Sequence, residues 1–438
     1  MGDALQDKFD DLYSAVYAIL EDAKSRHNVV KLYKGSHASP NPHRIVTDFG
    51  AFFHAHRRGL MAFASAEAGT LRDFDRIFEP RVSFARAFDA LSASRHSEES
   101  PSQFLRYLLE REHRLGAYRG GSSGFDDESR ALSATHFQQL GFSARPNDVL
   151  IFAGGFKGVF HSFCASLMCE CFYDEVRPTG GIILAPEGYY QSLRLMPPVF
   201  GGRLDVVADI TGPTVTDWLK RTSDIRGRML YVPLVNNANG RVLSRDRAHG
   251  IARAVLAYNN ATPSNPVHVF GDDVYAGSYL ADDLMPTPIG TVSGTDVGNA
   301  RLGRMSDWTV SVVTPSKTFA YPTSRIAIAH TTSRTLRKSL NHYRTVFSYG
   351  RVSQADELTA VMALCATPRN WITLWNHQYR NKLQYVQAGL NNINEALGYR
   401  AFHIDEPQGG WYMALHVSSK LFPPLISSSV DACSVFLN

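Results

Sequence analysis

Between residues 149 and 313, short apolar runs recur with helix-length stretches between them, and few folds accommodate that arrangement. The runs are Val149–Ala153, Gly181–Ala185, Arg203–Asp209, Met229–Leu234, Val267–Gly271 and Asp307–Val313. Several lack the alternation of a strand with one wet face, which marks burial on both faces. Strands separated by helical segments build an α/β fold around a mostly parallel, doubly wound sheet. In such sheets ligands bind beyond the carboxyl ends of the strands, so the residues just after each run carry the chemistry.

The rest of the chain narrows the class. A length of 438 residues exceeds one simple core and predicts two lobes, or one large domain with a smaller partner. The net charge of +4 is the difference of 45 basic and 41 acidic residues with no basic run, so nucleic acid is not an expected partner. No apolar run reaches membrane-spanning length, and Gln6 stands where a myristoylation signal needs Ser or Thr, so no membrane partner is expected. Five cysteines, an odd number, predict reduced thiols and a cytoplasmic home. His54 and His56 lack partners at ligand spacing, and Cys164, Cys169 and Cys171 fit no zinc pattern, so no metal is expected. Helical periodicity is expected near residues 3–26, and again from Asp126 to Leu140.

Five strand ends stand out. Gly154-Gly155-Phe156-Lys157-Gly158 opens a predicted helix running to about Cys171, and its free N–H groups suit either a phosphate or a plain tight turn. Tyr189 and Tyr190 follow the second run and could stack on a flat ring or pack in the core. Asn236-Asn237-Ala238-Asn239-Gly240 is a turn whose amides serve the backbone or a ligand oxygen. Asp272 and Asp273 are a solvated pair, or else buried acids that need a cation. Thr314-Pro315-Ser316-Lys317 ends the last run, with Arg325 eight residues on. A lysine there is either a surface residue or an amine whose pKa burial lowers until it can attack a carbonyl.

Taken in order, these segments resemble the class I/II aminotransferases, a family of fold-type I pyridoxal phosphate (PLP) enzymes. Lys317 with Thr314, Ser316 and Arg325 is similar to the family's Schiff-base segment. Asp272-Asp273-Val274-Tyr275 is similar to its Asp-Glu-Val-Tyr, and Asn237-Ala238-Asn239-Gly240 to its Asn-Pro-Thr-Gly, with Ala238 in place of the proline. Gly154-Gly155-Phe156 resembles the phosphate loop, Tyr118 to Arg130 the lead-in, and Pro407-Gln408-Gly409-Gly410-Trp411-Tyr412 a segment of the C-terminal small domain. Leu32-Tyr33-Lys34-Gly35 resembles an N-terminal Leu-x-x-Gly.

The resemblance implies a large PLP-binding domain over residues 111–340. It implies an N-terminal helix and extension over 1–110, partly in the small domain, and a C-terminal small domain over 341–438. It further implies that Lys317 holds PLP as an imine and moves the substrate proton. Asp272 would pair with the pyridine nitrogen, while Tyr275 and Asn237 would donate to the phenolic oxygen. Arg325, Thr314, Ser316 and the Gly154, Gly155 and Phe156 amides would hold the phosphate. Tyr189 would stack on the ring, with Tyr190 as the alternative, and Gly35 and Tyr118 would border the substrate. A homodimer with active sites at its interface, acting on an amino-acid-like small molecule, is the expected assembly. The family's carboxylate-binding arginine has no match, because no arginine follows Arg400. A chain shortened at its end, with an incomplete small domain, is the favoured explanation; a carboxylate held otherwise is the other. Transamination is the expected reaction, and β- or γ-elimination and replacement by a lyase or cyclase is the alternative.

Overall fold

The computed structural model describes residues 127–172, 175–281, 284, 286–319, 321–347, 357, 360, 361, 364, 369–418 and 420. Gly35, Tyr118 and the expected N-terminal helix lie outside these residues. Helix α1 (Asp127–Gln139) precedes strand β1 (Val149–Ala153) and helix α2 (Phe156–Met168). Strands β2 (Cys169–Phe172) and β3 (Glu175–Pro178) form an antiparallel hairpin. Then come β4 (Gly181–Pro186), β5 (Gly202–Val207), α3 (Gly212–Arg221), β6 (Arg228–Pro233), α4 (Arg245–Ala261) and β7 (Val267–Asp272). Strands β8 (Thr309–Val313) and β9 (Ile326–His330) are followed by α5 (Arg334–Val346) and the long α6 (Arg369–Leu397).

Seven strands make one sheet in the order β1-β9-β8-β7-β6-β4-β5. Strands β4 to β8 run parallel, whereas β9 is antiparallel to both β8 and β1. Successive residues of one strand enter opposite layers, as the pleat requires. Met229 and Tyr231 join Phe160, Phe163 and Phe270 on one face, while Leu230 and Val232 join Trp218, Ile251 and Val255 on the other. This two-sided burial is why the runs read as continuously apolar. Each fully buried side chain of this size stabilises the fold by about 1.5–3 kcal/mol. Side-chain caps start the flanking helices: Thr211 accepts from the Thr214 amide at 3.3 Å, Ser244 from Arg247 and Ser333 from Leu336, both at 3.4 Å.

Two elements depart from expectation. Helix α2 stops at Met168 rather than near Cys171, because Met168 is its last fully buried residue and Cys169 turns extended (φ −134°, ψ 150°) to pair across the hairpin. Cys169 and Cys171 are therefore strand residues. Strand β9, five consecutive buried residues, is an antiparallel insertion that the expected parallel pattern did not include.

The chain divides into two compact units. Among described residues the larger holds 127–380 and 407–412, and the smaller holds 381–406 and 413–420. Within the smaller, β10 (Phe402–Ile404) pairs antiparallel with β11 (Leu415–Val417). Asn394 fixes its start, its Oδ1 accepting from the Ala401 and Phe402 amides at 2.8 Å each. No helix among the described residues is long and apolar enough to cross a membrane.

Candidate active site

Every described residue named above as a site candidate lies in the larger unit, most of them just past a strand end. Strand β7 ends on Asp272, which is 6% exposed, and Asp273 beside it is 1% exposed. The pair is buried rather than solvated. Tyr231 on β6, fully buried, donates its hydroxyl to Asp272 Oδ2, and the Val274 amide donates to Oδ1 at 3.3 Å. Burial pushes the Asp272 carboxyl up to about 6, against the lowering pull of the Tyr231 and Val274 hydrogen bonds and of Lys317. Burial and the neighbouring Asp272 charge push Asp273 up to about 8, against the lowering pull of Ser311.

Lys317 lies beyond the end of β8, the strand next to β7. The loop that carries it is tied down at both ends. Thr314 Oγ1 donates to the Ile326 carbonyl and contacts Ser316 Oγ, both at 2.8 Å, and the Tyr321 amide returns to the Pro315 carbonyl at 2.9 Å. Thr318 Oγ1 donates to the Ala276 carbonyl at 2.9 Å, binding the lysine loop to the loop after Asp272. The amine is flanked by two rings, with Nζ 5.5 Å from the centroid of Tyr275 and 5.4 Å from that of Trp411. Burial is the chief force lowering the Lys317 pKa; the Asp272 charge opposes it and Arg325 reinforces it.

Tyr275 donates its hydroxyl to Asn237 Oδ1 at 3.0 Å. Burial, ahead of the charges of Tyr412, Asp272 and Tyr190, holds its pKa well above the usual phenol value, so it stays a donor. The turn that carries Asn237 is built by Asn236, whose Oδ1 accepts from the Ala238 amide at 3.0 Å and the Asn239 amide at 3.3 Å. A proline at 238 has no N–H for the first of these bonds, so alanine makes this turn in a different way. Gly240 closes the turn against the 407–410 segment: a Cβ there would lie 2.5 Å from Pro407 Cβ and 2.6 Å from the Gly409 carbonyl oxygen. The Gln408 and Gly409 amides donate to the Gly240 carbonyl at 3.0 and 2.9 Å, and Gly410 donates to Ser278 at 2.9 Å. Those bonds deliver Trp411 to the lysine.

After β1, Gly154 (φ 79°) and Gly155 (φ 64°, ψ −149°) lead into the thirteen-residue α2. The Gly155 amide donates to the Arg325 carbonyl at 2.7 Å, and Arg325 Nη2 reaches the Gly154 carbonyl at 3.4 Å. Arg325 itself has φ 49° and ψ 32°, the one left-handed non-glycine residue among those described. A Cβ on Gly155 would sit 3.2 Å from Arg325 Nη2. Gly155→Ala is therefore expected to destabilise the protein by about 1–3 kcal/mol, since its dihedrals belong to glycine alone. The measurement is the denaturant midpoint beside Gly250→Ala, where a Cβ meets nothing nearer than 3.6 Å. Equal midpoints for the two variants would refute the strained-loop account.

Phe156 stands edge-on to Tyr190 at 5.5 Å, and the Tyr190 backbone amide hydrogen-bonds the Tyr231 hydroxyl. Tyr189 packs, partly buried, against the same aromatic layer. Of the two tyrosines, it is Tyr190 whose contacts lead to Asp272. Two residues went unnoticed as site members in the sequence. Tyr231 sits inside an apolar run and looks there like any core aromatic. Trp411 had a signal in its Gly-Gly-aromatic segment, but not its distance from Lys317.

No family model matches the chain, and no curated protein matches it in sequence. Solved structures do resemble it. BacF from Bacillus subtilis, in a substrate-bound structure, gives a TM-score of 0.61 at 14% identity over 97% of this chain and 83% of that one. An alanine aminotransferase from Pyrococcus furiosus gives 0.57 at 14% identity over 78% of each chain. A double mutant of Thermus thermophilus aspartate aminotransferase gives 0.53 at 18% identity, over 75% of this chain and 76% of that one. The chain thus has the fold-type I, aminotransferase-like fold.

Proposed function

We propose that this protein is a PLP-dependent aminotransferase that moves the amino group of an amino acid or related substrate to a 2-oxo acid. The observation that carries the reading is the placement of Lys317. Its amine, held beside Tyr275 and Trp411 and with a pKa lowered by burial, feels the charges of the buried Asp272 carboxylate and of Arg325. Cytoplasmic residence and a homodimer with active sites at its interface belong to the same proposal.

The residues fit PLP group by group. Arg325 and the Gly154–Phe156 turn at the start of α2 combine a guanidinium with the positive end of a helix dipole, which suits a phosphate, although the Gly155 amide is itself spent on the Arg325 carbonyl. Thr314 and Ser316 add hydroxyls beside it. Asp272 offers a carboxylate to a protonated ring nitrogen; the Asn237 side-chain N–H would donate to a ring oxygen, and the Tyr275 hydroxyl, which donates to Asn237 Oδ1, would turn to the same oxygen. When bound, PLP would store the electron pair left when a bond to the substrate's α-carbon breaks. The protein's own tasks are then to hold a proton at Lys317 Nζ, to keep charge at Asp272 and to orient the substrate.

The deciding experiment is to load purified protein with PLP and add single amino acids without an acceptor. Conversion of the cofactor to its amine form, with one equivalent of 2-oxo acid released, is the expected result. Ammonia released over many turnovers would replace this reading with an elimination reaction. Protein that takes up no PLP would overturn the assignment.

A further inference from the structure

The wall beside Lys317 is aromatic, and its composition bears on the substrate. Trp411 meets Tyr275 edge-on at 5.8 Å and lies stacked with Tyr379 of α6 at 6.2 Å and 18°. Trp375, one turn earlier on the same helix, continues the row 6.3 Å from Tyr379. Around Trp411 and Tyr275 the packing is apolar, from Val235, Val242 and Val274. Trp411 and Tyr379 are only partly buried, so ring surface is left for a further group. A carbon that trades a proton with Lys317 Nζ must approach within about 3 Å of it. Nζ is 5.4 Å from the Trp411 centroid, so a side chain that extends from that carbon toward Trp411 reaches the indole.

We propose that Trp411, backed by Tyr379, is the surface against which the substrate's side chain packs, and that this side chain is a flat, apolar ring. The inference rests on the role given above to Lys317 and goes beyond it by naming a substrate class. Aromatic faces carry negative charge density and repel a carboxylate, which disfavours acidic side chains. A cationic side chain beside Lys317 would meet the Arg325 charge that already acts to lower the pKa of that lysine. An aromatic ring meets neither penalty and adds an offset or edge contact to the area it buries.

Inert carboxylates that lack the amino group test this without turnover. PLP-loaded protein is titrated calorimetrically with 3-phenylpropionate, propionate, succinate and 4-guanidinobutanoate. The phenyl compound is expected to bind about tenfold or more tightly than each of the others, from ring contact plus apolar area. Trp411→Leu is expected to cut the phenylpropionate-to-propionate preference by about tenfold, and Trp411→Phe to restore most of it. Circular dichroism and cofactor absorbance check that each variant is folded and loaded. Tighter binding of succinate or 4-guanidinobutanoate, or an equal loss for all four probes in Trp411→Leu, would overturn the proposal while leaving the cofactor assignment intact. Failure to load PLP would instead remove the reading on which it stands.

Discussion

Lys317→Ala is expected to lower turnover by about 10⁴-fold or more, since in the proposed reading it removes both the amine that would bind the cofactor covalently and the group that would move the substrate proton. The scaffold should survive the change. Thr314, Thr318 and Tyr321 hold the loop through the Ile326, Ala276 and Pro315 carbonyls, and none of those bonds uses the lysine side chain. Wild-type protein treated with borohydride should gain the mass of reduced cofactor on the peptide containing Lys317, and the variant should not. Added methylamine should recover part of the proton-transfer rate in the variant, which a merely misfolded protein would not allow. Turnover within tenfold of wild type would place the chemistry on another residue.

Asp272→Asn is expected to produce two opposite effects. With cofactor bound, loss of the charge facing the ring nitrogen should slow turnover by roughly 10²–10³-fold. Without cofactor, the same change should stabilise the protein above neutral pH. The folded-state pKa of Asp272 is raised from 3.8 to about 6, chiefly by burial, so the folded protein keeps a proton that the unfolded chain loses first. The stability this lends is complete below about pH 4 and is lost as pH rises through about 6. Asparagine cannot ionise, so the cofactor-free variant should escape a loss on the order of 2–3 kcal/mol at pH 8. Asp273, held up to about 8, leaves a residual slope above pH 6, and a shallower one once its charged neighbour is gone. Denaturation midpoints from pH 4 to 8 give the comparison. Unchanged turnover, or an unchanged stability profile, would remove Asp272 from this role.

The parallel core was legible because strands buried on both faces leave a plain trace, as Met229-Leu230-Tyr231-Val232 does by feeding two layers in turn. Asp272 and Lys317 were legible as strand-end residues for the same reason. What escaped were properties set by distant partners. Whether Asp272 and Asp273 are wet or dry depends on what covers them, and the adjacent pair reads the same either way. Strand β9 follows a turn dense in proline and hydroxyl residues, and its antiparallel sense comes from a short connection that turns the chain straight back beside β8. The choice between Tyr189 and Tyr190 turns on the register of a loop, which one residue of slip reverses. Trp411 reaches Lys317 through bonds from Gly240 and Ser278, made by residues far apart in the chain.

The place of β9 in the sheet carries a consequence for the order of assembly during synthesis. It lies between β1 and β8, and Gly154 and Arg325, which meet across it, are 171 residues apart in the chain. Contacts of such separation close late, because a long loop must be ordered before any of them is gained. A chain still lacking its residues past 320 can pair β4 to β8, yet β1 then has no partner, and Gly155 has no carbonyl for its amide. The junction of Gly154 and Gly155 with Arg325, proposed above to hold a phosphate, therefore forms in the same step that finishes the sheet. Capture of a phosphate-bearing ligand would mark a chain that has completed its core.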